Sequence, residues 1–185
     1  MMLAGIILSS LFMINGGRAK RIKEYVQEIA EICPNANSGN FTVQFPGPLN
    51  YSMSSNLIKL HGNFTITETI QEPLELIILI DRCALDMKTC EEHNKLTFTN
   101  LCRHVNDEKD VVAKFFKNVD PIVRCPIKPG IYKFKNAVFD LSFTLPLPME
   151  GYRWQAKLKL YSRIRPKREL FCVSSLSSMH WVNKP

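Results

Sequence analysis

The chain has 185 residues, the size of one ordinary domain that buries a core of its own. Its formal net charge of +7 favours acidic partners: anionic lipid head groups at a membrane surface, sulfated glycans or an acidic protein. No nucleic-acid recognition motif accompanies the charge, so nucleic acid is excluded as an expected partner.

The first residues have the pattern of a secretory signal peptide. Leu3 to Met13 form an apolar run, and small residues precede a predicted cleavage after Ala19. The run is too short for a membrane anchor, which needs about 20 apolar residues. We therefore expect residues 1–19 to be removed, residues 20–185 to form a single β domain, and the protein to be extracellular rather than retained in the lysosomal lumen.

Three N-x-[ST] sequons agree with secretion. They predict glycosylation at Asn40, Asn50 and Asn63, and therefore an exposed surface in this part of the chain.

The first part of the mature chain predicts one short helix and then strands. The helix passes through Tyr25, Ile29 and Ile32, within the segment from Lys20 to Cys33. Period-two alternation of apolar residues predicts the strands that follow, and an uninterrupted apolar run predicts a strand buried on both faces at 74–80. The predicted strands before that run cover residues 41–45, 57–60 and 64–70.

A second helix is predicted from Asp107 to Asn118. Asn106 can cap it, and two acidic residues occupy its positive first turn. Its apolar stripe has two interpretations, either packing on the sheet or forming a mobile flap over an apolar mouth. The stripe consists of Val111, Val112, Phe115 and Phe116.

The last third predicts three strands around a proline-rich crossover. One strand contains Tyr132 and Phe134, the next alternates apolar and polar residues over 139–143, and prolines then stop it. From Tyr152 to Leu160 the apolar residues face one way and the basic residues the other, which predicts a strand with one wet, positive face. A closing strand is predicted at 170–173.

A basic cluster separates these last two strands. A charge run of this kind forms either a solvated hairpin loop or a contact for head groups or glycans, and both interpretations stay open. The cluster consists of Arg163, Arg165, Lys167 and Arg168.

The six cysteines predict three disulfides in an oxidising compartment, which leaves no thiolate nucleophile. Spacing does not select among the 15 pairings that six cysteines allow. No C-x-x-C pair, histidine ligand pattern, nucleophile elbow, Walker loop or dinucleotide fingerprint is present. We therefore expect no catalysis, no metal and no cofactor.

With the cysteines placed, the chain resembles the ML lipid-recognition superfamily over roughly half of its length. The matching features are C-x6-C at Cys83 and Cys90, a further Cys102, CPIKPGIY from Cys125, PMEGYR in the crossover and a final Cys172. Within the superfamily, the chain is most similar to the ganglioside-activator protein and to the secreted insect branch of CheB-type chemosensory proteins.

The resemblance implies an antiparallel cup of two sheets around an apolar cavity for lipid tails. Ganglioside activators carry a fourth disulfide between the cysteines that match Cys102 and Cys125, where this chain has a predicted helix, and this favours the insect-type branch. The disulfide pairs that the resemblance implies are Cys33 with Cys172, Cys83 with Cys90, and Cys102 with Cys125.

The combined expectation for the fold is an all-β sandwich or cup with one short helix and three disulfides. The expected function is that of a secreted, non-catalytic carrier of a lipid or other hydrophobic ligand, in a chemosensory or pheromone-related role. The basic cluster would contact a head group or partner. Two alternatives stay open: an interaction module with a filled core that acts on a receptor, channel or glycan through the basic cluster, and a glycolipid-presenting hydrolase activator. The candidate cavity and mouth residues are Val112, Phe115, Phe116, Phe139, Leu141, Phe143, Trp154, Ala156 and Leu158.

Overall fold

The computed structural model describes residues 20–33 and 41–184, apart from the side chains of residues 20, 111, 143 and 184. The predicted signal peptide and the predicted glycosylation residue Asn40 lie outside the described residues. The described chain is an all-β fold of antiparallel sheets with two short helices and three disulfides. In chain order its elements are β1 (Lys20–Ile32), β2 (Val43–Gln44), β3 (Asn50–Ser54), β4 (Leu57–His61), β5 (Asn63–Ile66), β6 (Leu74–Cys83), β7 (Cys90–Thr99), α1 (Leu101–Asn106), α2 (Val111–Phe116), β8 (Val119–Asp120), β9 (Gly130–Phe134), β10 (Ala137–Asp140), β11 (Arg153–Ser162) and β12 (Arg168–Lys184).

One layer of the fold is a five-stranded sheet with the order β1-β12-β11-β6-β7. The other layer consists of two smaller sheets, β10-β4-β3 and β2-β5-β9-β8. Only Gly62 separates β4 from β5, and its positive φ of 89° permits the bend between the two small sheets. The second layer therefore curves over one face of the five-stranded sheet.

The helix predicted within residues 20–33 is wrong, because these residues form strand β1. This strand pairs with β12 from Lys20 to Ile32, and a bulge interrupts the register between Gln27 and Ile29. The bulge adds one residue, so Tyr25 and Ile32 face the same side of the sheet although they are seven positions apart. Apolar spacing that resembles a helical period therefore belongs to a bulged strand.

The single helix predicted from Asp107 to Asn118 is also wrong in its bounds. Two six-residue helices, α1 and α2, replace it, and Asp107 itself has extended backbone angles. Asn106 does not act as the cap, because its side chain exchanges two hydrogen bonds with the backbone of Cys125 at 2.9 and 3.3 Å. Asp110 caps α2 instead, accepting a hydrogen bond from the N–H of Val112.

The strand predicted over residues 139–143 ends early. Strand β10 stops at Asp140, and residues Ser142–Thr144 form a 3₁₀ turn. Asp140 accepts a hydrogen bond from the N–H of Ser142, which turns the chain away from the sheet. By contrast, the closing strand β12 is longer than predicted, because it pairs with β11 and then continues along β1.

The three disulfides join the same cysteines as the resemblance implies. Cys33–Cys172 fastens the end of β1 to β12, and Cys83–Cys90 closes the turn between β6 and β7. Cys102–Cys125 connects α1 to the segment before β9. Among residues 20–33 and 41–184, no helix has the length and hydrophobicity needed to cross a membrane.

Candidate functional site

The buried core consists of two separate clusters at opposite ends of the sandwich. The first surrounds Leu170 and the second surrounds Met179. These two residues lie nine positions apart on β12, which is about 30 Å of extended strand. The first cluster contains Phe64, Ile66, Ile70, Leu74, Val119, Val123, Tyr132 and Leu170; the second contains Tyr25, Leu141 and Met179.

Between the clusters, the inner face of the five-stranded sheet carries rows of apolar side chains. Leu158 of β11 lies opposite Ile78 of β6 and Val173 of β12, and Ile78 lies opposite Leu96 of β7. This is the face that meets the second layer, because Leu160, two residues along β11, packs on the first cluster. We call this surface the apolar trough; it comprises Leu76, Ile78, Ile80, Leu96, Phe98, Ala156, Leu158, Leu160 and Val173.

The apolar trough is incompletely covered. Strand β11 is the middle strand of five, yet its inner residues Ala156 and Leu158 are only half-buried, as is Ile78 beside them. In a close-packed sandwich, the inner face of the central strand is where full burial is expected. The middle of the sandwich is therefore less filled than its two ends.

One side of the sandwich is closed by hydrogen bonds between layers. The N–H of Tyr25 donates to Asn56 Oδ1 at 3.2 Å, and the N–H of Gln27 donates to Met53 Sδ at 3.1 Å. The hydroxyl of Tyr51 donates to the carbonyl of Gln27 at 3.4 Å. These contacts hold edge strand β1 against the β3–β4 hairpin, so this side offers no path into the apolar trough.

The edge strands at the other end of the two sheets, β7 and β10, carry exposed apolar residues. Every residue of edge strand β7 is exposed, including Leu96 and Phe98, which are 38% and 41% exposed. Across the sandwich, Phe139 of β10 is 43% exposed and its ring lies 6.3 Å from that of Phe115 on α2. Val112 of α2 is also exposed. We call these side chains, which lie on β7, α2 and β10, the apolar rim.

A buried tryptophan ends the row of inner-face residues on β11. The indole N–H of Trp154 donates to the carbonyl of Met149 at 2.9 Å, and the ring of His93 meets the indole edge-on at 4.9 Å. Trp154 is 7% exposed, so it forms a wall at this end of the apolar trough rather than an open lining surface.

The remaining predicted lining residues are dispersed. Leu141 is buried with Tyr25 and Met179 in the second cluster, so it is a core residue at one end. Phe116 packs against the first cluster, while the neighbouring Phe115 turns toward Phe139. The side chain of Phe143 lies outside the described residues. The sequon residues Asn50 and Asn63 are both exposed at strand starts.

Half of the basic cluster is neutralised within the protein. Lys167 pairs with Glu75, and Arg168 pairs with Glu68. Lys167 also lies over the ring of Tyr161, with its Nζ 4.5 Å from the centroid. The two other arginines of the cluster, at 163 and 165, form no salt bridge with any described residue.

The two helices α1 and α2 are connected by a hydrogen bond between side chains. His104 Nδ1 of α1 lies 2.7 Å from Asp110 Oδ2, the residue that caps α2. The hydrogen bond from His104, together with the N–H of Val112, holds the pKa of Asp110 below its ordinary value. Asp110 therefore stays ionised and keeps α2, with Phe115, in place beside the rim. Within the described ranges, no three His, Cys, Asp or Glu side chains converge as a metal site would require.

Sequence reasoning did not assign the β6 and β7 part of the apolar trough. The apolar run at 74–80 predicts a strand buried on both faces, but residues 75–80 are only half-buried, and Leu76, Ile78 and Ile80 lie on the face of the apolar trough. The usable signal was the neighbouring strand: once β11 is known to present Ala156 and Leu158 inward, the antiparallel register places Ile80 and Ile78 beside them.

The comparisons with known proteins do not assign a family. No protein-family model matches the sequence, and no curated protein matches it significantly.

Proposed function

We propose that the protein is a secreted, non-catalytic carrier that holds a lipid or another long hydrophobic ligand in the apolar trough. The observation that carries this proposal is the half-buried state of Leu158 and Ala156 on the middle strand of the sheet. When a hydrocarbon chain covers exposed apolar surface, the binding free energy becomes more favourable by about 25 cal/mol for each Å² removed from water. The closed β1–β3 side and the exposed apolar residues on the β7 side give such a chain one direction of entry.

Three disulfides and the cleavable leader expected from the sequence support secretion, because such cross-links form and persist in oxidising compartments. The cross-links also suit a hollow domain. A partly empty interior forgoes dispersion contacts, and covalent ties at its ends offset that loss. Similarity to the insect-type branch of the ML superfamily suggests a chemosensory or pheromone-related ligand.

A titration with a fluorescent fatty acid tests the carrier function. Leu158→Gln places a polar group on the wall of the apolar trough, and we expect it to weaken uptake about tenfold or more, which corresponds to at least about 1.4 kcal/mol. The matched control is Lys157→Gln on the opposite face of the same strand, where Lys157 lies 3.9 Å from Asp81. Equal affinity of the two variants, or no uptake by the parent protein, would contradict the proposal.

A second candidate function is an interaction module that acts through the basic cluster. It is favoured by the arginines at 163 and 165, which form no salt bridge with the part of the chain that the structure describes. Arg163→Glu combined with Arg165→Glu reverses these charges and retains Lys167, Arg168 and their carboxylate partners Glu75 and Glu68. Binding of the parent and the variant to heparin and to anionic vesicles separates the two functions. Lost surface binding with unchanged fatty-acid uptake supports a partner-binding role for the cluster, and no change in either assigns it to solvated surface.

A further inference from the structure

A pocket of about 290 Å³ lies outside the apolar trough, between the two helices and the segment 121–125. Its apolar lining includes Val105 of α1 and Ala113 of α2, and Ile122 and Val123 of the segment. Ala113 and Val123 are almost fully buried, which makes them a fixed floor, whereas Ile122 is 52% exposed at the edge. The volume lies just below the range of about 300–1,000 Å³ that is typical of small-molecule sites, so it suits a small ligand.

The pocket is held in shape by contacts that do not involve a ligand. The disulfide between Cys102 and Cys125 ties α1 to the segment, and Asn106 exchanges two hydrogen bonds with the backbone of Cys125. These links fix the position of α1 relative to the segment 121–125, which forms the facing wall of the pocket. A ligand therefore meets a site that is already formed, and its binding is not reduced by the cost of ordering a loop.

The rim of the pocket carries two cations that share one carboxylate. Lys117 Nζ lies 3.6 Å from Glu108 Oε2, and Arg124 Nη2 lies 3.9 Å from Glu108 Oε1. Both distances exceed the roughly 2.7–2.9 Å of a charge-assisted hydrogen bond. All three side chains are exposed, and together they carry one net positive charge. The carboxylate of Glu108 therefore lies where an anion can contact both cations, and their N–H groups stay available to a closer acceptor.

We infer that this pocket binds a small anionic amphiphile. Its carboxylate, sulfate or phosphate group would lie between Lys117 and Arg124, and its short apolar part would lie against Val105 and Ile122, above the floor of Ala113 and Val123. The ligand's head group displaces the carboxylate of Glu108. Glu108 thus competes with the ligand's head group for Lys117 and Arg124. In a purely structural triad of salt bridges, Glu108 would have no such role.

The test uses hexyl sulfate as the probe and the complete oxidised protein, with amide NMR shifts of Ala113 and Val123 reporting on the pocket. We expect Lys117→Gln and Arg124→Gln each to weaken binding about two- to fivefold, as for exposed charge pairs, and Glu108→Gln to tighten it by a similar factor. Lys109→Gln is the matched control, since Lys109 adjoins Glu108 in sequence but does not line the pocket.

Three results would overturn the inference. Hexanol binding as tightly as hexyl sulfate excludes an anion site, and inorganic sulfate binding equally tightly excludes the apolar part. Weaker binding in Glu108→Gln, with an unchanged melting temperature, shows that the carboxylate supports the site rather than competes for it. Because fatty-acid uptake by the apolar trough is measured separately, failure of one site leaves the test of the other intact.

Discussion

Filling the middle of the sandwich with a larger side chain tests whether it is hollow. Ala156→Phe adds a phenyl ring to the wall of the apolar trough, beside Ile80 and Ser175 on the neighbouring strands. In a close-packed core, such overpacking costs about 1–3 kcal/mol of unfolding free energy. Because Ala156 is only half-buried, we expect a change smaller than about 1 kcal/mol.

The same substitution should strongly weaken ligand binding. A phenyl ring in the apolar trough displaces about three methylene groups of a bound hydrocarbon chain, and each buried methylene contributes about 0.8 kcal/mol. The expected loss is about 2.4 kcal/mol, or about 50-fold in the dissociation constant of a fluorescent fatty acid. Urea unfolding measured by circular dichroism gives the stability, and fluorescence titration gives the affinity.

Ala137→Phe is the matched control, because Ala137 on β10 is 0% exposed and has no room for a ring. We expect this control to lose about 1–3 kcal/mol of unfolding free energy or to fail to fold. If Ala156→Phe destabilises the protein as much as Ala137→Phe does, the interior is filled and the carrier proposal loses its physical basis.

Three further outcomes are expected. Phe115→Ser should weaken fatty-acid uptake with little change in melting temperature. Phe116→Ser should lower the unfolding free energy by about 2 kcal/mol or more, since Phe116 packs on the first cluster. Equal melting temperatures of the two variants would place both rings at the rim. Replacing Cys33 and Cys172 by Ser should lower the unfolding free energy by about 5 kcal/mol in the chain-entropy model, because the disulfide spans 139 residues; a loss below about 2 kcal/mol would refute that account. Asp110→Asn keeps the cap but removes the charge, so its urea midpoint should lie below the parent's at pH 7. The difference should shrink as the pH falls below the ordinary Asp value of about 3.9, because stabilisation from a lowered pKa is lost as the pH falls through that pKa. A pH-independent difference would assign the effect to the hydrogen bond alone.

Strand β11 shows what alternation in the sequence predicts well. Its apolar residues face the second layer, and its basic residues form ion pairs on the outer face, as between Lys157 and Asp81. The pattern is decisive here because the strand is regular along this stretch and each face has a different solvent exposure. Ala156 and Leu158 could therefore be assigned to the inner face from the sequence.

Where the backbone is irregular, the sequence pattern misleads. The bulge in β1 shifts the side on which residues after Gln27 fall, and nothing in the local sequence marks it. Likewise, Asn106 has the residue type and position of a helix cap, but its partner is the backbone of Cys125, 19 residues away. Both differences arise from tertiary contacts that outweigh local propensity.

The site itself was only partly predictable for the same reason. Phe115 and Phe116 are adjacent and chemically identical, yet one points to the rim and the other to the core. Alternation identifies which face of a strand is apolar, but it does not show how closely the second layer covers that face. An apolar face becomes a filled core or an apolar trough according to how closely the second layer packs on it. That spacing is seen only in the folded protein.

Mass spectrometry of an organic-solvent extract tests the central claim most directly. The protein would be secreted from eukaryotic cells and purified without detergent, so that any bound ligand comes from the cells. We expect a stoichiometric lipid or long-chain hydrocarbon in the extract of the parent protein, and a reduced amount in the extract of Ala156→Phe. An empty extract, together with no uptake of added fluorescent fatty acid, would contradict the carrier function.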